Sequence, residues 1–157
     1  MQNLSTCLWF DCQAEEAAAF YVAIFPNSTV LSKKHYLEGS PGKAGEVMAV
    51  EFRLNGSDYL ALNGGPLFKF SPAISLMANC DTQEEVDTLW HKLLEGGQAS
   101  QCGWLTDRFG VSWQVVPRAM IELLDTADKA ASQRAVAAMM TMVKLDLAVI
   151  QQAYAGT

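Results

Sequence analysis

Apolar and polar positions change their spacing several times along the chain, and each change marks an element. CLWF (7–10) is a short apolar run that predicts a strand. After a polar turn, AEEAAAFYVAIF repeats Ala17, Phe20, Tyr21 and Ile24 at helical spacing, and Pro26-Asn27 stops it. STVLSKKHYL, EVMAVEFRL and DYLAL predict three further strands, the last two joined by a turn at Asn55-Gly56. Gly64-Gly65-Pro66 ends this first unit, which spans about residues 4–65.

The pattern then restarts over residues 72–117. AISLMANC predicts a strand, and Asp81 with Glu84 resembles a capping box for TQEEVDTLWHKLLE, whose buried stripe is Val86, Leu89, Trp90 and Leu93. Gly96-Gly97 terminates that helix, and QASQCGWL and VSWQVV supply further strands. A shift of 69 residues lays Glu15-Glu16 on Glu84-Glu85 and Phe20-Tyr21 on Leu89-Trp90. Such a doubled unit buries each helix on one face of a sheet and leaves the other face as a place for a small molecule. Residues 118–155 change character. AMIELL predicts a short helix, Ser132 is expected to cap SQRAVAAMMTMVK, and Asp146 restarts a helix after a bend. Val136, Met139, Met140, Val143, Leu147 and Ile150 are its expected apolar stripe, packed on the core or on a second subunit.

Bulk properties narrow the function classes. With 157 residues, half of them hydrophobic, the chain reads as one α+β domain with a sizeable core. A net charge of −6, with only eleven scattered basic residues, argues against nucleic acid as a partner. No apolar run approaches the roughly 18 residues of a membrane span. MQNLSTCLWFDC has neither a basic start nor a long apolar centre, so it does not read as a signal peptide, and a cytoplasmic location is expected. Cys7, Cys12, Cys80 and Cys102 lack CxxC spacing and nearby histidines, and they read as reduced thiols packed as small hydrophobes, Cys7 and Cys102 within strands. Asp11, Asp58 and Asp107 read as turn residues that accept from backbone donors.

The doubled order, together with LWFDCQAEEAAAFY, ALNGGPLFKFSPAIS, TQEEVD, QCGWLTDRFGVSWQVVP and MMTMVKLDLA, resembles the vicinal oxygen chelate superfamily of glyoxalase, bleomycin-resistance and extradiol dioxygenase proteins. Within it the words resemble the PhnB-like branch, often labelled demethylubiquinone methyltransferase-like. The resemblance implies paired βαβββ modules forming a cup-shaped mixed sheet, with a C-terminal helical tail, commonly in a homodimer. In metal-using members four His or Glu side chains hold a divalent ion in the cup. The matching positions here fall on Thr6, on or next to Ala61 with Asn63 on the same face, on Ala73 or Ser75, and on Gln114. None is a histidine or a carboxylate, and neutral hydroxyl and amide groups do not balance a desolvated dication. His91, beside Trp90, is expected to face solvent, and His35 lies on a strand that the family pattern does not use for metal. No metal and no other cofactor are therefore expected. A methyltransferase is disfavoured because no glycine-rich turn follows the first strand.

Strand alternation then selects the cup's lining. If Thr6 points inward, so do Leu8 and Phe10, while Trp9 faces the helix. Gln114 and Val116 share a face, as do Ser75 and Met77. Asn63 ends the fourth strand, Phe68 and Phe70 fold over the rim, and Trp104 stands before the turn at 107–110. The expected ligand-binding set is thus Thr6, Leu8, Asn63, Phe70, Ser75, Met77, Trp104 and Gln114, around a small, flat, largely neutral molecule. The reading is a metal-free small-molecule-binding protein; the alternative is a lyase- or oxygenase-like enzyme with an atypical metal site.

Overall fold

In the computed structural model, which describes residues 4–157, the first repeat forms β1 (Thr6–Phe10), α1 (Ala14–Ile24), β2 (Thr29–His35), β3 (Val47–Leu54) and β4 (Ser57–Asn63). The strand order is β1-β4-β3-β2, with β1 parallel to β4 and the other pairs antiparallel. Asn55 and Gly56 both take positive φ (43° and 90°), the backbone that a two-residue hairpin turn with matching twist requires. Tyr21 of α1, wholly buried, stacks on Phe52 of β3 with ring centroids 6.2 Å apart. Phe52 in turn stacks on Tyr59 of β4. Gly64 is fixed by a neighbour: a Cβ there would lie 2.3 Å from the Trp9 ring. Trp9 Nε1 also donates to the Gly65 carbonyl at 2.9 Å.

The second repeat forms β5 (Leu76–Cys80), α2 (Gln83–Leu94), β6 (Gln98–Ala99), β7 (Trp104–Thr106) and β8 (Ser112–Pro117). Its order, β5-β8-β7-β6, again has one parallel pair, β5 with β8. The two units, Met1–Phe70 and Ser71–Thr157, are each α+β with a four-stranded mixed sheet. The expected single strand QASQCGWL is split, because Cys102 and Gly103 both take positive φ (56° and 81°) and turn the chain between β6 and β7. Cys102 therefore lies in a turn, not in a strand. The capping residue of α2 is Thr82, whose hydroxyl accepts from the Glu85 N–H, while the Glu85 carboxylate accepts from the Asp81 N–H at 2.6 Å. The predicted capping arrangement is shifted by one residue, and its glutamate reaches back to the N–H of Asp81, the residue before the cap.

Residues 118–157 form α3 (Arg118–Leu124), α4 (Lys129–Met139) and α5 (Leu147–Ala155). Asp128, not Ser132, caps α4, accepting from the Ala131 N–H at 3.0 Å. Ser132 lies within the helix and donates to the Leu123 carbonyl. Asp146 caps α5 as expected, accepting from the Val149 N–H. The buried side of α4 is Ala131, Ser132 and Ala135, whereas Val136, Met140 and Val143 are exposed. The expected stripe loses its phase because the helix stops at Met139 and the chain runs without helix to Asp146. Leu145, fully buried, joins Val116, Met120, Ala135 and Ile150 in a core under the three helices. The Gln83 side chain clamps this segment, donating to the Leu145 carbonyl and accepting from the Leu147 N–H.

Asp107 anchors the turn before β8. It is 3% exposed, and its carboxylate accepts from the N–H groups of Phe109 and Val111 and from Trp113 Nε1, at 2.8–3.0 Å. The turn role expected of this residue is what the structure shows. Asp107→Ala leaves buried donors without acceptors and is expected to lower stability by on the order of 3 kcal/mol, measured by urea unfolding.

Candidate functional site

The register of the first sheet decides which residues face away from α1. Tyr21 stacks on Phe52, so Val50, Phe52 and Leu54 form the helix-covered face of β3. Their partners Ala61 and Tyr59 on β4 share that face, and so do Thr6, Leu8 and Phe10 on β1, opposite Tyr59, Ala61 and Asn63. Leu8 is 5% exposed and belongs to the core. The expected orientation of this strand is therefore reversed, since Cys7 and Trp9, with Leu60, Leu62 and Glu51, lie on the open face. Thr6 is exposed at the strand's start, on the same side as Leu8.

Asn63 has a structural task. Its Oδ1 accepts from the Ala14 N–H at 2.8 Å, satisfying a donor at the start of α1, and its Nδ2 donates to the Val47 carbonyl at 2.9 Å. Nearby lies a cleft of about 550 Å³ lined by Asp11, Cys12, Glu15, Tyr36 and Glu46 among others. The two phenylalanines after the first unit's sheet part company: Phe68 meets Trp9 edge-on at 5.0 Å, and Phe70 meets Phe10 at 5.2 Å. Phe70 thus packs against a core residue, while Phe68 (60% exposed) lies on the open side.

The second sheet keeps the expected phase. Leu105, Trp113 and Val115 are buried on one face with Ala78 and Cys80. Gln114, half-buried on β8 between β5 and β7, lies on the other, opposite Met77 and Trp104. Gln114 Nε2 donates to Ser75 Oγ at 2.9 Å, so Ser75, Met77, Trp104 and Gln114 are brought together. Among the described residues no protein group donates to Gln114 Oε1. Asn79, two residues past Met77, is a further exposed polar group on this face that the sequence reading omitted. Val116, the next residue on Gln114's side, is covered by the tail core.

The open faces carry few metal donors. In the first unit they present Cys7 and Glu51; in the second, Met77, Asn79 and Gln114. Glu51 is already held by Lys34 and Ser32, and the Lys34 ammonium beside it keeps its carboxyl below the usual range. Among the described residues no group of three His, Cys, Asp or Glu is placed to hold an ion. His35 and His91 are both exposed. The four-ligand site of metal-using relatives does not fit these residues.

Two four-stranded sheets, each built as βαβββ and each with one face that the helix of its own repeat leaves open, give the fold of the vicinal oxygen chelate class. Residues 2–116 match the family described as 3-demethylubiquinone-9 3-methyltransferase, and the chain belongs to that PhnB-like family. A solved structure from Bacillus cereus, described as a putative 3-demethylubiquinone-9 3-methyltransferase, PhnB protein, is 38% identical, with a TM-score of 0.68 over 74% of this chain and 99% of its own. A Pseudomonas aeruginosa protein shares 22% identity and a TM-score of 0.61 over 74% of this chain and 98% of its own. A mutant of FosX, the fosfomycin resistance protein of Listeria monocytogenes, shares 16% identity and a TM-score of 0.58 over 80% of this chain and 99% of its own. No curated protein matches the chain.

Asn63→Leu is expected to cost about 1–3 kcal/mol in urea unfolding with no ligand present, because the Ala14 N–H and the Val47 carbonyl lose their partner. The thiols separate as well. Burial, with Glu85 and Asp81 nearby, pushes Cys80 up to about 11 from an ordinary 9.0. The unfolded chain then gives up that proton first, so this residue's contribution to stability is intact below pH 9 and is lost towards pH 11. Alkylation of native protein at pH 8 is expected to label exposed Cys7 and Cys12 and to spare Cys80, as read by peptide mass.

Proposed function

We propose that the protein is a metal-free binder of a small, flat, largely neutral molecule, held on the open face of the second sheet. The observation that carries this reading is Gln114, half-buried on an inner strand with its Nε2 fixed by Ser75 and its Oε1 without a protein donor. A group so placed accepts a hydrogen bond from a ligand hydroxyl or N–H. Trp104 and Met77 (51% exposed) flank it with an aromatic ring and an adaptable thioether, an apolar bed for the rest of the molecule. Of the eight residues expected at the site, Ser75, Met77, Trp104 and Gln114 are the ones we assign to ligand contact. Leu8, Asn63 and Phe70 leave the set because helix-side packing or backbone hydrogen bonds already occupy them, and Thr6 leaves it because it lies exposed at the end of β1 on the side of Leu8.

Chemistry that needs a divalent ion has less support. The FosX mutant is described with Mn(II), but among the described residues of this chain no group of three His, Cys, Asp or Glu is placed to hold such an ion. Methyl transfer rests on the family's description alone. The mixed sheets here lack the glycine-rich turn that opens a helix beside a nucleotide-like cofactor. A homodimer belongs to the same proposal on the strength of the family resemblance, and so does the cytoplasmic location expected from the sequence. Among the described residues no helix is long and apolar enough to cross a membrane.

A thermal-shift screen of small phenols, aromatic amides and aromatic acids, with and without Mn(II) or Zn(II), tests the reading. Hits are expected without added metal, and Gln114→Leu is expected to remove at least half of each shift while the unliganded melting point stays within about 2 °C. Shifts that require metal, or that survive Gln114→Leu unchanged, would sink it.

A further inference from the structure

The bond between Gln114 and Ser75 leaves a definite pattern of hydrogen-bonding groups open. A glutamine amide carries two N–H donors and a carbonyl acceptor, and a serine hydroxyl carries one donor and two acceptor positions. The bond from Gln114 Nε2 to Ser75 Oγ, 2.9 Å long, uses one amide hydrogen and one hydroxyl lone pair. Among the described residues no protein group meets Gln114 Oε1, the second Nε2 hydrogen or the Ser75 hydroxyl hydrogen. An acceptor thus stands beside two donors, on side chains that are both half-buried. Met77 and Trp104 lie opposite Gln114 in the register, one strand to each side. With neighbouring strands about 4.8 Å apart, the two stand ~10 Å from each other with Gln114 between them. Side chains rise roughly perpendicular from a sheet, so thioether and indole bound a slot over the amide that takes one flat ring.

We propose that the ligand of this face is a planar aromatic lactam, a ring in which N–H and C=O are neighbours. The proposal rests on the assignment of the second sheet's open face as a binding surface, and narrows its ligand class. The lactam N–H donates to Gln114 Oε1, and the lactam carbonyl accepts from Nε2 or from the Ser75 hydroxyl. A phenol has one oxygen for both tasks and meets the acceptor and the donors at poorer angles. An aromatic carboxylate brings no donor and sets an oxygen against Oε1, and the row of Met77, Gln114 and Trp104 holds no charge to balance it. Partly shielded polar groups left unmatched in this way give strong discrimination between ligands of one shape.

The test is isothermal titration of the full-length protein with isoquinolin-1-one, its N-methyl derivative and 1-aminoisoquinoline. N-methylation removes the donor while keeping the ring and the carbonyl, and is expected to weaken binding by roughly tenfold or more. Gln114→Glu replaces the amide with a carboxylate that has two acceptors and no donor. That variant is expected to lose the lactam by a similar factor and to take up 1-aminoisoquinoline, whose protonated form offers two donors. The proposal is overturned if wild-type protein binds the lactam and its N-methyl derivative equally, if it binds neither, or if Gln114→Glu keeps the preference for the lactam. Phenols or acids whose thermal shifts depend on Gln114 would then leave the binding face standing, whereas the absence of any Gln114-dependent hit would remove both.

Discussion

The stacking of Tyr21 on Phe52 decides which way every residue of the first sheet points. Once that contact assigns Val50, Phe52 and Leu54 to the helix side, hairpin pairing passes the phase to Tyr59 and Ala61, and parallel pairing passes it on to Leu8 and Phe10. A one-residue change of register would turn the whole apolar set to solvent, so burial enforces the phase strongly. Trp90 of α2, 4% exposed, occupies the place in the second helix that Tyr21 holds in the first. Each sheet is thus left with one face that no helix of its own repeat covers.

The two open faces have diverged. The first carries Glu51 and Lys34 as a solvated ion pair beside Cys7 and Trp9, and such exposed pairs contribute about 0–1 kcal/mol. The second has no charge among its central groups. Gln114, Ser75 and Trp104 are half-buried, and the tail core closes over Val116 next to them. A neutral, partly shielded amide is a better recognition group than a screened carboxylate that a lysine already satisfies. That contrast is why the proposed ligand face belongs to the second unit.

Much of this was readable in the sequence. The doubled order, both long helices, the Asn55-Gly56 turn, the Asp107 turn and the Asp146 cap followed from periodicity and turn chemistry. Gln114 was placed by the family resemblance, and alternation from it correctly set Trp113 on the helix side of β8. The first sheet was misread because its phase was taken from the position of metal ligands in related proteins. A better signal lay in EVMAVEFRL, where polar Glu51 and Arg53 alternate with Val50, Phe52 and Leu54. Counting across a two-residue turn from Leu54 to Ser57 carries that phase to Asn63. What no local pattern held was the early end of α4 and the approach of Met140 to Cys102, since both depend on contacts between segments far apart in the chain.

The indole of Trp9 comes so close to Gly64 that a Cβ there would lie 2.3 Å from the ring, which leaves no room for even one methyl group. Ring and glycine therefore form a single inherited unit. A descendant that kept the tryptophan could not gain a side chain at position 64, whereas one that first shrank the ring would release that constraint and the Gly65 carbonyl together. The order of those two changes, more than the cost of either, limits how this corner of the protein can evolve.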